Sequence, residues 1–274
     1  MAMNNPGSIT DWPTHPTPYA DVNAVVGGLL SGARGAIGNH LVGMYLYGSL
    51  ATGDFCPGQS DIDFVVVTAD ALSSRAVQRL ETLHTRLAAS GPTWAKLEGA
   101  YVPRDVIRRH SRQHAPCPCV NEGRFYLARL GSDWIIRRYV LRKCGLVVAG
   151  PAPERLIDTV ESGDLRQAVL GFLHEWWAPM LQKPDARLCE AEYQAYAVLT
   201  MCRTAYTLDR GTIVSKSRAA QWAQDAFDEQ RSGLIEWALT WRGNGPAKHM
   251  AEVLDLVRYT LDRSQVNGTV DVAA

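Results

Sequence analysis

The 274-residue chain carries 28 lysines and arginines against 28 aspartates and glutamates, and 46% of its residues are hydrophobic. This length suits one large or two modest domains with a substantial core. The balanced charge argues against a protein that binds a long nucleic acid, because such proteins usually carry a basic surface. No apolar run reaches the roughly 18 residues that span a bilayer, so we expect no membrane partner.

The six cysteines lack the even spacing of a disulfide framework. Residues 1–18 hold four prolines and no basic segment, and we interpret them as a loose leader rather than a signal peptide. Both features predict a cytoplasmic protein with reduced cysteines.

The first half of the chain alternates helical and strand patterns, as an α/β arrangement does. The predicted helices are residues 19–40, 71–90 and 132–143, and the predicted strands are residues 44–47, 62–67, 93–102 and 145–149. Residues 104–124 are rich in Arg and His and show no period, which predicts a long loop or lid.

The second half has helical apolar spacing throughout, which predicts a helical bundle. The predicted helices are residues 156–181, 190–209, 216–227, 232–241 and 247–263. We therefore expect an α+β protein with an N-terminal domain over residues 1–155 and an all-α domain over residues 156–274.

The most informative stretch is residues 44–68, which predicts a strand, a tight turn, a short helix and a second strand. Gly48 and Ser49 follow the first strand, where a glycine allows close backbone approach and helix N–H groups can face a phosphate. Asp61 and Asp63 begin the second strand, so their side chains project from the same face. Two adjacent carboxylates repel each other unless a cation lies between them, which indicates a divalent metal site.

A Gly-Ser pair, an eleven-residue spacer and an Asp-x-Asp pair resemble the signature of the nucleotidyltransferase superfamily that includes DNA polymerase β. Further segments are similar to the bacterial aminoglycoside adenylyltransferases that modify streptomycin and spectinomycin. These segments are residues 46–49, 60–63, 148–154, 197–206, 211–216 and 219–223. The resemblance implies a mixed sheet with flanking helices, followed by the bundle.

The resemblance also implies roles for individual residues. Asp61 and Asp63 would bind Mg²⁺, Glu98 would be the general base, and Lys216, which follows a serine, would contact the phosphates of ATP. Strand alternation leaves a second possibility for Glu98, since its side chain could instead face solvent. Lys216 could equally be a first-turn residue of a surface helix.

Recognition of the acceptor is less defined by the sequence. The similar enzymes place acidic residues just before the helix that contains Val198-Leu199-Thr200 against the cationic drug. Asp185, Glu190 and Glu192 are the acids available here, and Glu192 lies nearest the matching position. We therefore predict Glu192 as the substrate-binding residue.

One cluster competes for a separate role. His110, His114, Cys117 and Cys119 are zinc-type ligands at short spacing. Cys-x-Cys around a proline is a less usual zinc pattern than Cys-x2-Cys, so we expect a lid with incidental His and Cys residues instead.

These observations together predict a magnesium-dependent enzyme that transfers AMP from ATP to a hydroxyl of an aminoglycoside or aminocyclitol. Two alternatives remain open at the level of sequence. The first is a nucleotidyltransferase that acts on another small-molecule or protein hydroxyl. The second is an inactive nucleotide-binding module with a regulatory role.

Overall fold

A computed structural model describes residues 15–111, 113–243 and 246–268 of the chain. The residues on which the prediction of a leader chiefly rests, 1–14, lie outside this part. The chain divides into two compact units. The sheet unit comprises the described residues up to Ala51, Ser60–Arg129 and Leu141–Asp158, and the helical unit comprises Thr52–Gln59, Leu130–Val140 and the described residues from Thr159 onward.

The sheet unit is built around six strands in the order β5-β4-β3-β2-β1-β6. The strands are β1 (Leu41–Leu46), β2 (Ile62–Thr68), β3 (Leu97–Pro103), β4 (Cys117–Asn121), β5 (Arg124–Ala128) and β6 (Leu146–Ala149). β2 and β3 run parallel, and all other neighbours pair antiparallel, so the sheet is mixed.

The described residues before β6 also form six α-helices. They are α1 (Ala20–Ile37), α2 (Gly48–Thr52), α3 (Ser74–Ala88), α4 (Pro92–Ala95), α5 (Arg104–Arg108) and α6 (Asp133–Cys144). α1 and α3 each bury one apolar stripe, as amphipathic helices on a sheet do.

The helical unit has five further α-helices and a core of buried aliphatic and aromatic side chains. They are α7 (Ser162–Phe172), α8 (Ala191–Arg210), α9 (Lys216–Ala226), α10 (Glu229–Thr240) and α11 (Met250–Gly268). α7 continues through a π-helical turn at Leu173–Trp177 and a 3₁₀ turn at Ala178–Leu181. The predicted α+β class is confirmed, whereas the division at residues 155 and 156 stays a prediction.

The predicted loop over residues 104–124 is wrong, because this segment contains α5 and β4, which forms a hairpin with β5. Asn121 pairs with Arg124 across a two-residue turn, in which Glu122 and Gly123 have φ of 48° and 71°. Two positive φ values match the turn type that suits the twist of a hairpin. A glycine at the second turn position was the available sequence signal.

Among the predicted starts of elements, those of the third strand and of the first bundle helix differ most from the structure. The third strand begins at Leu97 and not at residue 93, because Pro92 starts a one-turn helix, where its fixed φ is favourable. The first bundle helix begins at Ser162 and not at residue 156, with Glu161 and Asp164 forming a capping box. Among the described helices, none combines the length and apolar character of a membrane span.

Candidate active site

The parallel pairing of β2 and β3 brings two predicted site residues together. Asp63 lies directly opposite Glu98 in the register, one position after the pair Ile62 and Leu97. Side chains of opposite residues share a face of the sheet. Ile62 and Leu97 are buried on one face, while Asp63 and Glu98 are half-buried on the other. Glu98 therefore lies beside Asp63, on the same face.

Gly48 lies against the Asp63 carboxylate at the point where β1 gives way to α2. Its φ is +59°, a conformation that L-residues with a side chain rarely adopt. A Cβ at this position would overlap the carboxylate, with Oδ2 as its nearest atom. The backbone N–H of Tyr47 donates to the Asp63 carbonyl at 3.1 Å, which fixes this approach. Ser49 follows on α2 and is half-buried.

Asp61 precedes β2 and is half-exposed beside a lysine that the sequence did not indicate as a site residue. The Lys96 Nζ lies 3.7 Å from Asp61 Oδ1. The Ile62 N–H donates to the Lys96 carbonyl at 2.8 Å, so the backbone pairing of the two strands reaches this position. Lys96 precedes Glu98 by two residues, just as Asp61 precedes Asp63.

The donors at this site fit Mg²⁺, which prefers hard oxygen ligands. Asp61 and Asp63 supply carboxylates, and the ammonium of Lys96 lies beside Asp61. In the described residues, no three His, Cys, Asp or Glu side chains form a complete metal-binding group. Mg²⁺ usually takes one or two protein carboxylates together with substrate phosphates and water.

Lys216 belongs to the helical unit, where it is the first residue of α9. Ser215 caps this helix by accepting the Arg218 N–H. The Lys216 Nζ lies 4.2 Å from the centre of the Tyr196 ring, a cation–π contact. The lysine is thus placed at the positive end of a helix dipole, a location that suits an anionic ligand.

Asp54 secures the same helix end and was not indicated by the sequence. Its Oδ1 accepts the Ser217 hydroxyl at 2.6 Å and its Oδ2 accepts the Ser217 N–H at 3.0 Å. Asp54 lies in the loop between α2 and β2, a segment that belongs to the helical unit. A pairing across 163 residues leaves no local sequence signal.

Of the three candidate acids, Glu192 is exposed in the first turn of α8. Asp185 is already engaged, because Arg187 donates two side-chain N–H groups to its two carboxylate oxygens, at 3.0 and 2.8 Å. The hydrogen bonds from Arg187 lower the pKa of Asp185 to about 2. The guanidinium of Arg187 also lies over the rings of Trp176 and Tyr193.

The His and Cys cluster is divided between a loop and a strand. Cys117 and Cys119 are buried in β4, whereas His110 and His114 precede it with their rings 6.4 Å apart. Burial, with smaller contributions from Cys119 and Asp105, raises the pKa of the Cys117 thiol to about 12.

Comparison with known proteins agrees with this architecture. Residues 36–109 match the model of the nucleotidyltransferase domain, and residues 155–263 match that of the C-terminal domain of aminoglycoside adenylyltransferases. Proteins described as aminoglycoside (3'') (9) adenylyltransferases from Klebsiella pneumoniae and Escherichia coli are 28% identical over 229 residues, which cover 78% of this chain and 84% of each relative.

A solved structure shares the fold. Spectinomycin adenyltransferase AAD(9) from Enterococcus faecialis, crystallised with ATP and spectinomycin, superposes with a TM-score of 0.70 at 17% identity, covering 88% of this chain and 98% of that one. The domain-model match gives the class, an enzyme with a nucleotidyltransferase domain. More particularly, it is an adenylyltransferase-like enzyme that resembles the aminoglycoside adenylyltransferases, and the predicted resemblance is confirmed.

Proposed function

We propose that the protein transfers AMP from ATP to a hydroxyl group of an aminoglycoside or aminocyclitol antibiotic, with Mg²⁺, and releases pyrophosphate. Antibiotic resistance would be the physiological result. The observation that carries the proposal is the placement of Asp63 beside Glu98 on adjacent parallel strands, with Gly48 against the Asp63 carboxylate.

The chain supplies a base, metal ligands and phosphate contacts for this reaction. Glu98 accepts the proton of the acceptor hydroxyl, the hydroxyl oxygen forms a bond to the α-phosphorus, and the bond from that phosphorus to the β-phosphate oxygen breaks. Asp61 and Asp63 are the magnesium ligands. When bound, the metal would polarise the phosphate oxygens and offset charge on the leaving pyrophosphate. Gly48, Ser49 and Lys216 contact the phosphates.

For the acceptor we propose a chemical class and not a single compound. The relatives are named for aminoglycosides and the structural neighbour was crystallised with spectinomycin and ATP, which supports a polycationic or aminocyclitol acceptor and ATP as co-substrate. We assign Glu192 to the acceptor, because its carboxylate is exposed on the first turn of α8 while that of Asp185 is paired with Arg187. A requirement for ATP suits a cytoplasmic protein.

A pyrophosphate-release assay with ATP and Mg²⁺ over a panel of aminoglycosides and aminocyclitols tests the proposal. We expect release that depends on one class of acceptor and on the metal, with AMP attached to the acceptor by mass spectrometry. Release with a different hydroxyl compound would instead support the first alternative. ATP binding without transfer to any acceptor would favour the regulatory module.

A further inference from the structure

Charged side chains lie at and just before the start of β2 and β3. Asp63 is opposite Glu98 in the strand register. Asp61 and Lys96 immediately precede the two strands, and Lys96 Nζ lies 3.7 Å from Asp61 Oδ1. None of the roles implied by the resemblance includes the lysine.

Electrostatics indicates what the ammonium does in metal-free protein. Adjacent carboxylates disfavour each other's charged form, and a nearby cation relieves this repulsion. The side chains of Lys96 and Asp61 are 35% and 44% exposed, so their attraction is weakened by water and contributes little to global stability. The same exposure allows the flexible lysine stem to move its ammonium aside at low cost.

We propose that Lys96 is a positioning residue that acts as the resident counter-ion of Asp61. Its ammonium forms an ion pair with the Asp61 carboxylate while no metal is bound, and this ion pair breaks when a divalent cation binds. Lys96 therefore weakens metal binding and keeps the carboxylates in place beforehand. The inference rests on the proposed function only in taking Asp61 and Asp63 as the metal ligands.

The charge arithmetic gives the sign and size of the effect. The interaction free energy of two unit charges about 4 Å apart in water changes a binding constant by a factor of roughly five. A divalent ion near Asp61 experiences both this repulsion and competition for the oxygen. Replacing the ammonium with a neutral group of similar length should raise metal affinity about three- to tenfold.

The test measures Mn²⁺ binding without nucleotide, by calorimetry, for the full-length wild type, Lys96→Met, Lys96→Arg and Lys143→Met. We expect Lys96→Met to bind Mn²⁺ about three- to tenfold more tightly, with a thermal midpoint in EDTA close to that of the wild type. Lys96→Arg keeps the charge and should stay near the wild type. Lys143 is exposed near the end of α6, and its replacement controls for net charge.

Several outcomes overturn the inference. If the affinity of Lys96→Met for Mn²⁺ is unchanged or lower, the ammonium does not compete with the metal for Asp61. If the only change is a higher KM for ATP, the ammonium instead contacts the phosphates. A wild type that binds no Mn²⁺ also refutes it, whatever the transfer assay shows. Tighter Mn²⁺ binding in Lys96→Met together with no AMP transfer in the wild type would support the role of Lys96 and refute the proposed function.

Discussion

In the sheet unit, Asp63 and Glu98 lie together because β2 and β3 pair in a fixed register, whereas in the helical unit Lys216 and Glu192 occupy the first turns of two helices. A one-residue slip of either strand would send the carboxylate of that strand to the opposite face and separate the pair. A helix-end lysine on a flexible stem tolerates small shifts. We therefore expect the sheet unit to determine the rate of chemistry and the helical unit to determine binding.

Asp63→Asn should give the largest effect. A metal acting on phosphoryl transfer supplies several kcal/mol, so we expect at least about 10³-fold loss of turnover. The thermal midpoint in EDTA should stay level or rise, because one carboxylate repulsion is removed. Steady-state kinetics and a melting curve on one preparation check both. Asp70→Asn, just beyond the other end of β2, is the control, and near-normal turnover in Asp63→Asn would refute the metal assignment.

Glu98→Gln should lower kcat by about 10²–10⁴-fold, the usual contribution of a general base. The amide keeps the shape and most hydrogen bonding, so the affinities for nucleotide and acceptor should change little. Calorimetric binding and turnover separate this from a structural role, in which folding and binding would decline together. Turnover within about threefold of wild type would place the base elsewhere.

His84 provides a test of the sheet unit that does not involve catalysis. It is buried between the rings of Phe64 and Phe125, and its Nε2 lies 2.8 Å from the Tyr101 hydroxyl. Burial lowers the pKa of His84 to about 4. Between pH 6.5 and about pH 4, His84 binds a proton in the unfolded chain but not in the folded one. The contribution of His84 to the free energy of unfolding is therefore fully present above pH 6.5 and decreases as the pH falls to about 4.

The expected loss over this interval is about 3 kcal/mol of unfolding free energy. Urea unfolding from pH 7 to pH 4 measures it, and a His84→Phe, Tyr101→Phe double variant should show a shallower pH dependence. Replacing the exposed His40 with Gln should leave the dependence intact. Equal slopes in the wild type and the double variant would show that His84 is not the titrating group.

Lys216→Met should raise the KM for ATP about tenfold, which is the size of one charge-assisted contact, and change kcat less than Glu98→Gln does. Lys216→Arg keeps the charge and should recover most of the affinity. The cation–π contact with Tyr196 adds only about 0.5–1 kcal/mol at an exposed site, so stability should barely change. If Lys216→Met lost more kcat than Glu98→Gln, the assignment of chemistry to the sheet unit and of binding to the helical unit would be wrong.

Asp54→Ala should have the smallest effect, a loss of about 1 kcal/mol, because it removes the capping partner of Ser217. Faster hydrogen exchange in the first turn of α9 is the measurement. Asp225→Ala is a matched control of opposite sign, since an acid in the last turn opposes the helix dipole and its removal should be neutral or slightly stabilising. Unchanged exchange in Asp54→Ala would count against the cap.

Local patterns were sufficient where a residue's neighbours in sequence decide its environment. The apolar run after Asp61 predicted β2, and alternation left Glu98 with only two possible faces. The patterns failed where the partner is distant. Neither the Lys96 pair with Asp61 nor the Asp54 pair with Ser217 can be read from spacing, because each depends on which elements become neighbours.

The hairpin of β4 and β5 was missed for another reason. The many Arg and His residues of this segment indicate a loop, and Pro118 argues against a strand inside a sheet. The only feature that indicates the turn is one glycine. Pro118 is tolerated because it pairs with Leu127 at a position that, by alternation from the turn, exchanges no N–H bond with β5, and because the pairing of β4 with β3 ends at Cys119.

The interleaving of the units has a consequence during synthesis. Thr52–Gln59 and Leu130–Val140 are translated early, yet both belong to the helical unit, whose remaining helices follow residue 158. Asp54 emerges from the ribosome 163 residues before Ser217. Asp54 must therefore wait for its α9 partner until Ser217 has been synthesised, and a chain started at residue 159 would lack part of its own bundle.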